Sequence, residues 1–231
     1  MRLFYSPDIE LTNALSEDES KHAVKVLRLK VGDKLEVLDG KGNSYIAVIT
    51  EANAKKCAVS IESKQIHQES PYYLEIIISP TKNSDRMEWF IEKAIEIGVS
   101  KISFALTERS ERKKIRLDRF EKIAVSAMKQ SKHYHLTELS ELTSFDSIVN
   151  SNFDGDRFIA HCLEDNKQHL KDVAKTKSNC QILIGPEGDF TTDEIDLALS
   201  KKFKAVSLGE SRLRTETAGI YACTALSIIN T

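Results

Sequence analysis

The stretch Tyr73–Ser79 (YLEIIIS) constrains this chain most. It is a nearly continuous apolar run of strand length, and such strands are buried on both faces. A sheet covered on both faces needs helices, and helix-period segments follow. From about Ser84, the residues Met87, Phe90, Ile91, Ala94 and Ile95 recur at three- and four-residue steps, and Gly98 suits the helix stop. Lys101–Leu106 reads as the next strand. A basic segment then leads into a helix with Leu117, Phe120, Ile123 and Ala127 on its buried side. Arg157–Cys162, Gln181–Ile184 and Lys204–Leu208 read as strands, with helices near Lys167–Ala174, Glu194–Lys201 and Glu216–Ile229. Strands alternating with helices imply an α/β fold with a mostly parallel sheet.

The first seventy residues follow a different rhythm. Ser16-x-x-Glu19 predicts a capping box opening a short helix that runs toward Leu27. Strands are expected over Lys34–Leu38, Tyr45–Thr50 and Cys57–Ile61, with a turn cluster from Asp39 to Asn43. This reads as a small barrel-like β module. The polar stretch Ser63–Pro71 is the expected joint, which gives domains over 1–70 and 71–231.

Four cysteines, Cys57, Cys162, Cys180 and Cys223, lie far apart without a CxxC pair, so no metal site or redox dithiol is expected. No run approaches the roughly 18 apolar residues of a membrane span, and the N-terminus has no long apolar core. A cytoplasmic location and no membrane partner are therefore expected. The formal net charge of -2 excludes blanket affinity for nucleic acid. Its distribution is uneven, because Arg109–His135 carries nine Lys and Arg against three acidic residues. Such a stretch is either a solvated helix face or a phosphate-tracking patch.

Two glycine-bearing loops follow predicted strands. Ile184-Gly185-Pro186-Glu187-Gly188-Asp189-Phe190 precedes a helix whose capping box is Thr191-x-x-Glu194. Ligands of open α/β sheets bind beyond the C-terminal ends of strands, where glycine lets the backbone approach closely. The loop has neither the dinucleotide fingerprint nor the P-loop pattern, so a nucleoside without phosphates fits it better. The second loop, Leu208–Ala218 (LGESRLRTETA), also opens a helix. Thr215 suits the N-cap and Glu216 the positive end of the helix dipole. Arg212 and Arg214 oppose that dipole, which points to an anionic partner.

Together these loops resemble the SPOUT methyltransferases, and more specifically the RsmE-type family, which methylates N3 of a uridine in 16S ribosomal RNA. KNSDRMEWFIEKAIEIGV (82–99), TERSERKK (107–114), AMKQSKH (127–133) and HAVKVLRLKVGDKLEVLDGKGNSYIAVI (22–49) carry the resemblance further, the last to a PUA-like RNA-binding module. One departure is Asp189, where the family pattern leads one to expect a second glycine. The resemblance implies a SPOUT-type α/β domain with a C-terminal trefoil knot, preceded by a PUA-like β-barrel domain. It implies a homodimer acting on 16S ribosomal RNA or the small ribosomal subunit.

The implied cofactor is S-adenosyl-L-methionine, held by His161, Leu183, Ile184, Gly185, Pro186, Glu187, Gly188, Leu208, Gly209, Leu213, Arg214 and Thr215. Arg214 is the candidate for stabilising negative charge on the uracil, with Glu216 a weaker candidate base. Lys21, His22, Lys25, Arg28, Lys82, Arg86, Arg109 and Arg112 are the candidate RNA contacts, although His22 also suits a structural role. Two rivals are a SPOUT enzyme acting on a ribose 2′-hydroxyl and a non-catalytic RNA-binding assembly factor. A nicotinamide oxidoreductase is remote, since its fingerprint is missing.

Overall fold

A computed structural model describes residues 2–163 and 166–230. Contacts divide the chain into two units. Residues up to Glu69 together with Met128–Leu136 form the first, and Ser70–Ala127 together with the residues from Thr137 onward form the second. No helix among the described residues is long and apolar enough to cross a membrane.

In the first unit, β1 (Leu3–Tyr5), α1 (Ile9–Thr12) and α2 (Glu17–Lys21) precede β2 (Lys34–Leu38), β3 (Asn43–Glu51) and β4 (Ala58–Ile66). The sheet order is β1-β2-β3-β4, with β1 parallel to β2 and the other pairs antiparallel. The chain after α1 returns to β4, where Leu15 N donates to Cys57 O and Val59 N donates to Asn13 O. Phe4, Leu35, Val37, Tyr45, Ile49 and Cys57 fill the core between them. Asp39 organises the β2–β3 turn by accepting from Lys41 N, Asn43 N and the Tyr45 hydroxyl. Burial would raise its pKa, but these donors together with the Asn43 amide hold the carboxyl below its ordinary value.

Two expectations change here. Ser16 does cap α2, accepting from Glu19 N at 3.3 Å. The reciprocal half of the box is not made, because the Glu19 carboxylate accepts from Tyr5 N and pairs with Lys129 Nζ. After α2 the chain winds into a π-helical turn, His22–Val26. The joint also starts later than the polarity of Ser63–Pro71 suggests. β4 runs on to Ile66 because its backbone ladder with β3 reaches Asn43, whatever its side chains face.

The second unit contains β5 (Leu74–Ile78), α3 (Ser84–Ile97), β6 (Lys101–Leu106), α4 (Leu117–Ser131), β7 (Glu138–Ser144), α5 (Phe145–Val149), β8 (Asp156–Ala160), β9 (Gln168–His169), α6 (Leu170–Val173), β10 (Cys180–Ile184), α7 (Thr192–Ser200), β11 (Lys204–Ser207) and α8 (Thr215–Asn230). The last turn of α4 belongs by its contacts to the first unit, which the expected boundary at residue 71 missed. The seven strands run in the order β7-β6-β5-β10-β8-β11-β9, and every pair is parallel. β10 enters late in the chain yet lies in the middle, and all five of its residues are buried. One face of the sheet packs Ile77, Ile159 and Leu183 against Phe145, Phe190 and Ile195. α8 covers β5 and β10 from the other side, with α3 against it.

α3 is built as its pattern predicts: Met87, Phe90, Ile91, Ala94 and Ile95 are buried, and Gly98 ends it at φ 100°. The helix expected near Lys167–Ala174 is instead a two-residue strand and one turn of α6. β7 escapes its pattern because only Leu139 and Leu142 are apolar, as an edge strand paired on one side allows.

The α3–α8 contact is close at Gly219, where a Cβ would lie 2.5 Å from Phe90 Cε2 and 3.2 Å from Ile78 Cδ1. Helix propensity alone would make Gly219→Ala stabilising by about 1 kcal/mol. Overpacking a fully buried ring should reverse the sign, to a loss of about 1–2 kcal/mol. Urea unfolding checks this, and a stabilised variant would show that α3 and α8 pack less tightly than described.

Candidate active site

The sheet order reverses around β10, and the cavities lie at that edge, beyond the C-terminal ends of β8, β10 and β11. This is where an open α/β sheet leaves a crevice. One cavity of about 260 Å³ lies between Ile184–Glu187 and Arg212–Thr215, with Ala160, Cys162, Asp189 and Ala218 completing its wall. Another of about 440 Å³ is lined by Val206–Leu213 together with His161, Cys162, Leu163 and Lys167. Ala160, Cys162, Arg212, Leu213 and Ala218 wall both.

Side chains tie these loops together by bonding main-chain groups. The Thr215 hydroxyl donates to Gly185 O at 3.0 Å, in a buried contact. Asp189 Oδ2 accepts from Cys162 N at 2.7 Å. Glu187 Oε1 accepts from Lys82 N at 3.0 Å, and Glu194 Oε1 accepts from Glu108 N at 2.8 Å. Arg109 Nη1 donates to Gly188 O and Phe190 O, while Arg112 donates to Thr81 O and Lys82 O. Loop backbone carries polar groups that no strand or helix pairs, and these bonds satisfy them.

The expected site residues separate accordingly. Ile184, Gly185, Pro186, Glu187, Arg214 and Thr215 line the smaller cavity, and His161, Leu208 and Gly209 line the larger. Leu213 lines both. Leu183 does not face them: its side chain lies in the core cluster with Ile77 and Phe190. Gly188 faces the Arg109 side chain, 3.3 Å from a would-be Cβ. Thr215 is not the N-cap. It is the first residue of α8, Arg214 O accepts from Ala218 N, and the hydroxyl is committed to Gly185. Glu216 is buried at 6% exposure, with Oε1 3.7 Å from Arg86 Nε and Oε2 without a hydrogen-bond partner.

Among the RNA candidates, Arg109 bonds loop carbonyls through Nη1, and Arg112 does so through Nε and Nη2. Lys82 Nζ pairs with Glu111 at 2.8 Å and Lys21 with Glu17 at 2.6 Å. In the first unit Lys25 and Arg28 are exposed, and His22 is exposed with its ring edge-on to Phe4. Arg212 and Arg214 are exposed, and no hydrogen bond or ion pair engages either side chain among the described residues.

Sequence reasoning missed Cys162 and Ala160 as wall residues. The rule that sites sit at strand ends could have found them, since they close the strand that was foreseen there. It noted Asp189 only as a departure. Asp189 has φ 62°, a left-handed value that Asp tolerates better than most residues.

An RNA methyltransferase domain model matches residues 68–227, and an RNA methyltransferase PUA domain model matches residues 15–62. The chain is 31% identical to a ribosomal RNA small subunit methyltransferase E of Synechocystis, over 94% of this chain and 74% of that protein. The crystal structure of a probable rRNA-methyltransferase from Porphyromonas gingivalis shares 40% identity and a TM-score of 0.94, covering 100% of this chain and 98% of that one. A ribosomal RNA small subunit methyltransferase E from Neisseria gonorrhoeae, solved bound to S-adenosyl methionine, shares 26% identity and a TM-score of 0.88, covering 100% of this chain and 98% of that one.

Cys162 gives a chemical probe of this wall, because the other three cysteines are buried. Burial first, and the Asp189 charge second, push its thiol pKa up. The thiolate is the reactive form. The pH–rate profile for alkylation of Cys162 should therefore have its midpoint above the ordinary cysteine value of about 8.5, and Asp189→Asn should lower it. A midpoint at or below that value would contradict the described surroundings.

Proposed function

This chain belongs to the ribosomal RNA small subunit methyltransferase E family, and we propose that it transfers a methyl group from S-adenosyl-L-methionine to N3 of a uridine in 16S ribosomal RNA. The observation that carries this reading is the meeting of the Gly185 and Gly209 turns around one pair of cavities, with two unpaired arginines on the wall.

The residues present fit the cofactor. The larger cavity is within the size range of small-ligand sites and offers Leu208 and Leu213 to a base ring. Nothing lies within 4 Å of a Cβ built on Gly209, so a ligand can approach that backbone closely. The smaller cavity places Glu187 alongside Arg212 and Arg214, a set suited to a ligand with both cationic and anionic groups. When bound, the cofactor supplies an electrophilic methyl group. The main chain of residues 183–188 and 207–215, with His161, would hold it.

Uridine N3 lies on the Watson–Crick edge, so the base must be unpaired or extruded to reach the site. Losing its proton leaves negative charge on the uracil oxygens. Arg214 remains protonated at neutral pH and stabilises that charge. Glu216 faces α3 and pairs with Arg86, so it holds that arginine beside the start of α8 rather than taking the proton. Lys25 and Arg28 of the PUA domain grip the RNA backbone, as do Arg86 and Lys82 of the methyltransferase domain. The reading extends to a trefoil knot through the two glycine turns and a homodimer through α8, where Tyr221 and Ile228 are exposed. It places the enzyme in the cytoplasm.

The test is methyl transfer from labelled cofactor to naked ribosomal RNA and to assembled small subunits, followed by nucleoside analysis. N3-methyluridine is expected. Methyl on a ribose would indicate a different RNA methyltransferase, and no heat of S-adenosylmethionine binding would indicate an assembly factor. Arg214→Ala should lower turnover about 10²–10³-fold and leave RNA affinity within about threefold. Equal losses in both would reduce Arg214 to a binding residue.

A further inference from the structure

Six residues other than glycine have positive φ among the described residues, and Asp189 is the one that lines either of these two cavities. A left-handed backbone costs an L-residue roughly 1–2 kcal/mol, less for Asp when its side chain bonds locally. Glycine would occupy this turn without that cost. Part of the choice of Asp has a local reason: Asp189 N donates to Pro186 O, and Oδ1 accepts from Phe190 N at 2.8 Å. That closes the turn. It leaves Oδ2 unexplained.

Oδ2 reaches across the site to Cys162 N, 27 residues away in sequence, at 2.7 Å. The bond is short and charge-assisted, the stronger kind. The donor lies in the segment that leaves β8, and Ala160 and Cys162 form part of the wall common to both cavities. We infer that Asp189 is a positioning residue, which locks the Ala160–Cys162 segment onto the Gly185 turn and so sets the shape of the cofactor pocket. The inference rests on the methyltransferase reading above. It concerns a residue that need not touch the ligand: with the Cys162 amide held, the shared wall is fixed before the ligand arrives, and less ordering is lost on binding.

Calorimetric titration of the full chain with S-adenosylmethionine tests this, with thermal unfolding of each variant alongside. Asp189→Asn keeps an oxygen that can accept from Cys162 N and tolerates the left-handed backbone, so its Kd should stay within about threefold of the parent. Asp189→Gly keeps the turn but loses the cross-loop bond. Its Kd should rise about tenfold, equivalent to about 1.4 kcal/mol. Its unfolding midpoint should stay close to the parent's, because relief of the backbone offsets the lost bond. At saturating cofactor, kcat for Asp189→Gly should remain near the parent value. Asp189→Gly binding as tightly as the parent would overturn the proposal. So would Asp189→Asn losing as much as Asp189→Gly, or weak binding that merely tracks a collapse in unfolding temperature. A parent protein that binds no S-adenosylmethionine would instead remove the methyltransferase reading, which is a distinguishable result.

Discussion

The bond from the Thr215 hydroxyl to the Gly185 carbonyl is the contact on which the site depends. It joins two turns 30 residues apart in sequence at the end of a central buried strand. Both partners are buried, so breaking it would leave a carbonyl without water or protein to satisfy it, at a cost of about 1–3 kcal/mol. The rest of the loop cluster repeats the device. Arg109, Arg112, Glu187, Asp189 and Glu194 each bond a main-chain group of another loop. A wall is thus built from side chains near the cavities, while the Arg212 and Arg214 side chains line it without such bonds among the described residues.

The same fact separates two kinds of cation. Arg109 and Arg112 stand in the most basic stretch of the chain, yet their guanidinium groups also bond loop carbonyls. Lys21 and Lys82 are held by exposed ion pairs, which are worth little and yield readily to a stronger anion. The Arg212 and Arg214 side chains, exposed before α8, make neither kind of bond among the described residues. A count of basic residues therefore overstates the RNA surface and does not locate the chemistry.

Much of the fold was legible because its strands are buried on both faces. YLEIIIS and the run before Gly185 could be little else, and α3 carried both its apolar stripe and its glycine stop. β7 and the far end of β4 were not legible, since edge strands are held by backbone ladders that polar sequences also form. The helix-like pattern at Lys167–Ala174 dissolved into a short strand and a single turn because pairing with β11 took its first residues. At the site, the glycine turns announced themselves. The roles of Thr215 and Asp189 did not, because each is defined by a partner some 27 to 30 residues away that no local pattern encodes.

The most direct measurement is hydrogen exchange of the backbone amides with and without S-adenosylmethionine. The account predicts slowed exchange at both 184–190 and 206–216 in the same titration, and unchanged exchange in β2–β4. Protection at one turn alone, or at neither, would contradict a single pocket formed by the two.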